Sequence, residues 1–248
     1  MTKLPRKSVL AFLFLLSQAA SAFTLAETFS LAPVRTGVFE HYSLDFGAAA
    51  YSAVRYSPDS PALTFQASFL NPKYTVGFAI FDLSRIHGTV TGATFGGTLT
   101  SGDTGLAVSF TLNQAMTAPA AFDSAYDDCG PAFTCLFLTP PAGLLPPGGF
   151  AIYEDLTGGA QFANFGFPAG EILPATRTAD FNAAGVGAVQ AALGGKLVLG
   201  INFTGLGTFT LDNVRLNVST VPLPPALVLF GSAFAILRLR RRAPNTAT

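Results

Sequence analysis

The 248-residue chain contains 24 Phe, 25 Gly and 17 Pro but no Trp, and half of it is hydrophobic. Its formal charge of zero hides an uneven distribution: three of the 14 basic residues precede residue 23 and four follow residue 237, whereas all 14 acidic residues lie between, leaving the interior near −7. Such an interior excludes the basic face that nucleic acid or an anionic membrane demands, and its length of about 200 residues suffices for one well-cored domain.

The first 22 residues read as an export signal. Lys3, Arg6 and Lys7 form a positive leader, residues 9–16 are apolar, and Ala20-Ser21-Ala22 supplies the small residues of a cleavage site. The apolar run is too short to span a bilayer, so the mature chain is expected to begin near Phe23. Beyond it the pattern is that of strands. Leu63, Phe65, Ala67 and Phe69 alternate with Thr64, Gln66 and Ser68, the period of two of a half-buried strand. Residues 74–83 are more uniformly apolar. Residues 90–100 follow, interrupted by Gly92, Gly96 and Gly97, where missing side chains point to a bulge or a close backbone approach. Leu106, Val108, Phe110 and Leu112 alternate again.

Residues 118–147 are rich in Pro, Gly and Ala and form the longest irregular stretch, the kind of loop that carries binding where binding exists. Within it, Cys129 and Cys135 are close enough, in an exported chain, to be expected as a disulfide. So short a loop restrains little chain entropy, and the bridge would add about 2 kcal/mol locally. Zinc is the sharper alternative but lacks its CxxC spacing, and neither His41 nor His87 is near in sequence. Asp123, Asp127 and Asp128 lack the dense acidic order of a calcium loop, so no metal and no cofactor is expected.

The acid pairs Asp127-Asp128 and Glu154-Asp155 do not make a glycosidase by themselves, because strand neighbours point to opposite faces while the chemistry needs two carboxyls converging. One acid from each would have to meet in three dimensions. There is no G-x-S-x-G, His41 and His87 read as ordinary residues, and Gly158-Gly159 reads as a turn. The sequons at Asn202 and Asn217 fall in strands and carry little weight.

One short helix is expected over residues 182–193. Asp180 or Asn182 can cap it, Val186, Val189 and Leu193 share a face, and Gly194-Gly195 stops it. Residues 196–203 and 208–218 then read as an antiparallel strand pair joined through Gly205 and Gly207.

The last 29 residues differ in kind. Val221, Pro222, Leu223 and Pro224 lead into an uncharged apolar run ending at Leu237, and Arg238, Arg240, Arg241 and Arg242 follow at once. Arginines in that position hold one end of a segment at a negatively charged cytoplasmic leaflet. As an ideal helix, residues 221–237 would reach about 26 Å against a hydrocarbon core of about 30 Å, and the prolines delay its start, which suits a temporary hold.

On these residues the tail resembles the PEP-CTERM class of bacterial C-terminal sorting signals, in its VPLPA variant. Pro225 stands where the variant usually has Ala, and six residues follow the arginines. The resemblance implies an exosortase-like protease or transpeptidase as partner, transient anchoring in the inner membrane, and delivery to the cell surface or an extracellular matrix with exopolysaccharide. Three units follow: a signal peptide over 1–22, an exported domain over 23–219 and the sorting signal over 220–248.

A second resemblance rests on scattered pieces: Phe81-Asp82-Leu83-Ser84 with residues 88–94, Phe181-Asn182-Ala183-Ala184 with residues 191–195, and residues 211–216. They look like segments of secreted bacterial β-sandwich domains. What they imply is an all-β, antiparallel, jelly-roll-like sandwich with one short helix, and no active site. The expected role is non-enzymatic and structural. The alternative is a carbohydrate-binding module in which Tyr51, Tyr56, Tyr126 or Tyr153 replaces the usual Trp, with a glycoside hydrolase third; two Tyr in one exposed row would favour sugar binding.

Overall fold

The computed structural model describes residues 26–45, 50–58, 62–67, 73–103, 105–123, 128–129 and 149–222. The strands are β1 (Glu27–Leu31), β2 (Arg35–Asp45), β3 (Ala50–Pro58), β4 (Leu63–Ala67), β5 (Lys73–Asp82), β6 (Thr89–Gly102), β7 (Val108–Gln114), β8 (Asp128–Cys129), β9 (Gln161–Phe167), β10 (Ala175–Asp180), β11 (Lys196–Thr204) and β12 (Gly207–Val221). Two helices interrupt them, α1 (Gly149–Gly158) and α2 (Ala183–Ala191), together with a 3-10 turn at Pro119–Asp123.

All twelve strands belong to one antiparallel sheet that folds over on itself. One half runs β10-β6-β12, with β4 and β1 both bonded along β12. The other runs β9-β7-β11-β5-β2-β3-β8. They are joined where β4 passes to β5, through the pairing of Ala67 with Tyr74. At the opposite side β9 and β10 approach one another, so the sheet nearly closes.

Between the halves lies a core whose bulkiest side chains are phenylalanines. Phe65 meets Phe110 edge-on with centroids 5.1 Å apart, Phe110 stacks on Phe165 at 5.2 Å, and Phe95 reaches Phe165 at 5.9 Å. Such pairs each add about 0.5–1.5 kcal/mol beyond the area they bury. Phe suits this space because it brings no N–H or O–H that burial would leave unpaired.

A second cluster covers the outer face of β2, β5 and β11. Phe39, Val76, Phe78, Ile80 and Val198 are buried there beneath Ile152 and Leu156 of α1 and Phe122 of the 3-10 turn. This explains the uniform apolarity of β5, since Ala79 and Phe81 face the inner core while Phe78 and Ile80 face α1. A strand covered on both faces loses the polar alternation of a half-exposed one.

The all-β antiparallel expectation holds, with two corrections. Among the described residues there are two α-helices where one was expected. The strands at 196–204 and 207–221 both form, yet they do not pair with each other: β11 lies between β5 and β7, and β12 between β6 and β4. The segment between them carries the chain from one half of the sheet to the other, turning at Gly207 with φ +105°. The glycines of β6 behave as expected. Its register with β12 slips between Gly92 and Val90 and again opposite Asn213, and Leu211 lies directly over Gly97.

Helix α2 begins as anticipated. Asn182 caps it, its Oδ1 accepting from the Gly185 amide at 2.9 Å while its Nδ2 donates to the Gln161 carbonyl at 2.8 Å. Val189 is fully buried and Gly194, with φ +78°, follows the helix end. The expected signal peptide over 1–22 and nearly all of the expected sorting tail over 220–248 lie outside the described residues. Among the described residues, no helix is long and apolar enough to cross a membrane.

Candidate functional site

Val221 and Pro222, the first two residues of the expected sorting motif, lie at the end of β12. In β12, Leu216, Val218 and Thr220 point into the core, and pairing with β6 continues to Val221, opposite Thr89. Pro222 follows and, having no N–H, cannot extend the ladder. On its other side β12 is bonded to β1, with Glu27 opposite Thr220 and Leu31 opposite Leu216. Because these strands run antiparallel, the beginning of β1 and the end of β12 leave the domain side by side. The hydroxyls of Thr28 and Ser219 meet at 3.2 Å, and Thr91 Oγ1 donates to the Ser219 carbonyl at 3.2 Å. Thr220 is fully buried, and its Oγ1 has no hydrogen-bond partner among the described residues.

The turn from β5 to β6 packs against this exit. Asp82 Oδ1 accepts from the Ser84 amide at 2.9 Å, and hydrogen bonds from the Ser84 side chain and backbone hold the Asp82 carboxyl below the usual carboxylate range. Ile86 pins the turn to the core. From α2, Gln190 spans it: Oε1 accepts from the Val90 amide at 2.7 Å, and Nε2 donates to the Gly88 carbonyl at 3.3 Å. Gly88 takes φ +105° and lies so close to Val221 that a Cβ would fall 2.6 Å from its carbonyl oxygen.

Between the turn, β1 and the end of β12 is a groove of about 420 Å³ lined by Glu27, Phe29, Arg85, His87, Gly88 and Pro222. Glu27, Arg85 and His87 are exposed; Phe29 and Pro222 are half-buried. Pro222, the second residue of the expected motif, is thus a wall of the groove. The sequence reading singled out Val221 and Pro222 but none of the other walls. The signal available was the alternation of Thr28 and Ser30 with Phe29 and Leu31, which marks a strand near the chain start.

A second surface feature sits on the outer face of β2 and β5, at the margin of the cluster under α1. His41 and Tyr74 are directly opposed across the strands, and the Tyr153 ring of α1 packs on the His41 ring with centroids 5.0 Å apart. Burial lowers the His41 pKa below its ordinary value, while burial and the neighbouring Tyr74 raise that of the Tyr153 phenol. Tyr74 is about half exposed. Of the other tyrosines considered, Tyr51 and Tyr56 are placed on β3, and Tyr126 lies outside the described residues.

Two of the acidic candidates, Asp155 and Asp123, have local partners. Asp155 Oδ2 accepts from the Thr117 amide at 2.7 Å and from its hydroxyl at 2.6 Å, tying α1 to the end of β7. Asp123 forms an ion pair with Arg35, and Glu154 is exposed on α1. The Asn202 and Asn217 amides donate to the Leu156 carbonyl and to Thr94 Oγ1. No group of three His, Cys, Asp or Glu side chains converges on a metal site among the described residues. Cys129 ends β8, opposite Ala53 of β3. Its expected partner Cys135 lies outside the described residues, as do Asp127, Leu223, Pro224, Arg238, Arg240, Arg241 and Arg242.

No protein-family model and no curated protein sequence matches this chain.

Proposed function

We propose that this chain is an exported bacterial surface or matrix protein, held at the inner membrane by its C-terminal segment until an exosortase-like enzyme acts on the Val221-Pro222-Leu223-Pro224 motif. The domain is read as a jelly-roll-like sandwich with a structural, non-enzymatic role. One observation carries the reading. The pairing of Glu27 with Thr220 puts the first and last strands of the described domain side by side at one edge, an arrangement that suits flanking segments engaging one membrane. The tail itself supplies the rest: an apolar run too short for a comfortable span, bounded by arginines. Cys129 and Cys135 are assigned to a local disulfide, formed on export. Intact-mass measurement of the native protein tests the reading. The expected mature form lacks residues 1–22 and the arginine cluster, whereas a form that keeps residues 230–242 would leave a plain membrane anchor.

A second reading is favoured by the aromatic patch. Tyr74 and Tyr153 flank His41 on one face, offering ring surface of the kind that stacks on sugar C–H bonds. In this reading the domain holds exopolysaccharide directly. A glycan array probed with the mature protein decides it. Binding that Tyr74→Ala abolishes supports the module, and no binding to any glycan removes it.

A further inference from the structure

The groove at the exit of β12 shares a wall with the sorting motif, because Pro222 is both the second motif residue and part of the groove lining. Any enzyme that reads Pro222 must therefore enter a space bounded by Glu27 on one side and by Arg85 and His87 on another. Val221 is not free to lie extended in an enzyme cleft. It is paired with Thr89, and its carbonyl oxygen lies against Gly88. An active site that needed all four motif residues as extended chain would have to strip Val221 from β6 first.

We infer that the processing enzyme reads a composite surface: Val221 and Pro222 as folded residues, with Glu27, Arg85 and His87 as specificity-determining contacts beside them. This rests on the sorting reading proposed above. The partner it fits is a polypeptide surface carrying a carboxylate for Arg85 and His87 and a basic group for Glu27. Opposite charges on facing walls orient an incoming surface as well as attract it, so they act on encounter rate and register. Glu27 and Pro222, which line the groove, stand close in sequence to the two segments read as membrane-engaging, which suits an enzyme working at the membrane. The β5–β6 turn is held by Gln190 and Ile86 independently of these exposed side chains, so the charges can be changed without dismantling the turn.

The test follows conversion of the full-length chain to its mature mass in cells that carry the processing enzyme. Arg85→Glu combined with His87→Glu, and separately Glu27→Lys, are each expected to slow conversion by about tenfold, while Arg85→Lys keeps the wild-type rate. A Leu223→Ala, Pro224→Ala variant serves as the control on the motif. If that control is processed like the wild type, the sorting reading itself fails. If the control is blocked while the charge variants convert at the wild-type rate, the composite surface is overturned and the sorting reading stands. Melting midpoints of the variants guard against misfolding. Should the double Glu variant melt early, the Glu27→Lys variant decides, and a wild-type rate there overturns the inference.

Discussion

The carbonyl oxygen of Val221 occupies the place where a side chain on Gly88 would have to go: a Cβ there would fall 2.6 Å away, and Gly88 holds φ +105°. Replacing Gly88 with Ala therefore imposes backbone strain and a clash with main chain at one stroke. The expected cost is about 1–3 kcal/mol, seen as a lower urea midpoint with an unchanged slope. An unchanged midpoint would mean that the end of β12 is not held against the turn.

A similar contact seats α1. A Cβ on Gly200 of β11 would lie 2.3 Å from the Leu156 carbonyl oxygen, so Gly200→Ala must lift the helix and should cost about 1–3 kcal/mol. Leu156→Ala, which empties a fully buried site, should cost about 2–5 kcal/mol. If the helix is lifted, the two losses will not add, and denaturation of the double variant will show less than their sum.

Thr220 offers the opposite sign. Its buried hydroxyl lacks a partner among the described residues, and valine has nearly the same shape. Thr220→Val is expected to leave stability unchanged or raise it by up to about 1 kcal/mol. A loss of more than about 1 kcal/mol by calorimetry would reveal a hydrogen bond that the hydroxyl does make.

Stability should also depend on pH through His41. Burial against Tyr153 lowers its folded pKa from the ordinary 6.5, so as pH falls the unfolded chain takes up the proton first. The contribution of His41 is intact above about pH 6.5 and is lost as pH falls from there through the lower folded value. Urea midpoints at about pH 7.5 and pH 5 should fall further apart for the wild type than for His41→Gln. Equal differences would show that His41 titrates alike in both states.

Much of this architecture was legible because a period of two needs only local alternation. Leu63, Phe65 and Ala67 could be read that way, and so could Asn182 as a cap, since its partner Gly185 is three residues on. The partner of a strand is different in kind. Residues 196–204 and 207–221 are separated by a glycine-bearing turn that would serve a hairpin equally well, and only the packing of the two halves of the sheet sends them apart. Helix α1 escaped notice because the side chains it is seen to bury fully, Ile152 and Leu156, are only one turn apart, and no side chain in its sequence announces a start. At the site, the expected motif is a reading of residues 221–224 alone. Its surroundings could not be read that way, because Glu27 and Phe29 come from one end of the chain and Arg85 and His87 from a turn that only folding brings near.

The neighbouring exits of β1 and β12 also decide how the domain responds to force. When Glu27 and Val221 are drawn in opposite directions, the load falls first on the hydrogen bond pair at the open end of the β1–β12 ladder and then on each pair in turn, from Thr220 to Leu216. Bonds broken one after another resist far less than bonds sheared together. A chain still held at both ends would yield by shedding β1, and would keep the rest of the domain intact beneath it.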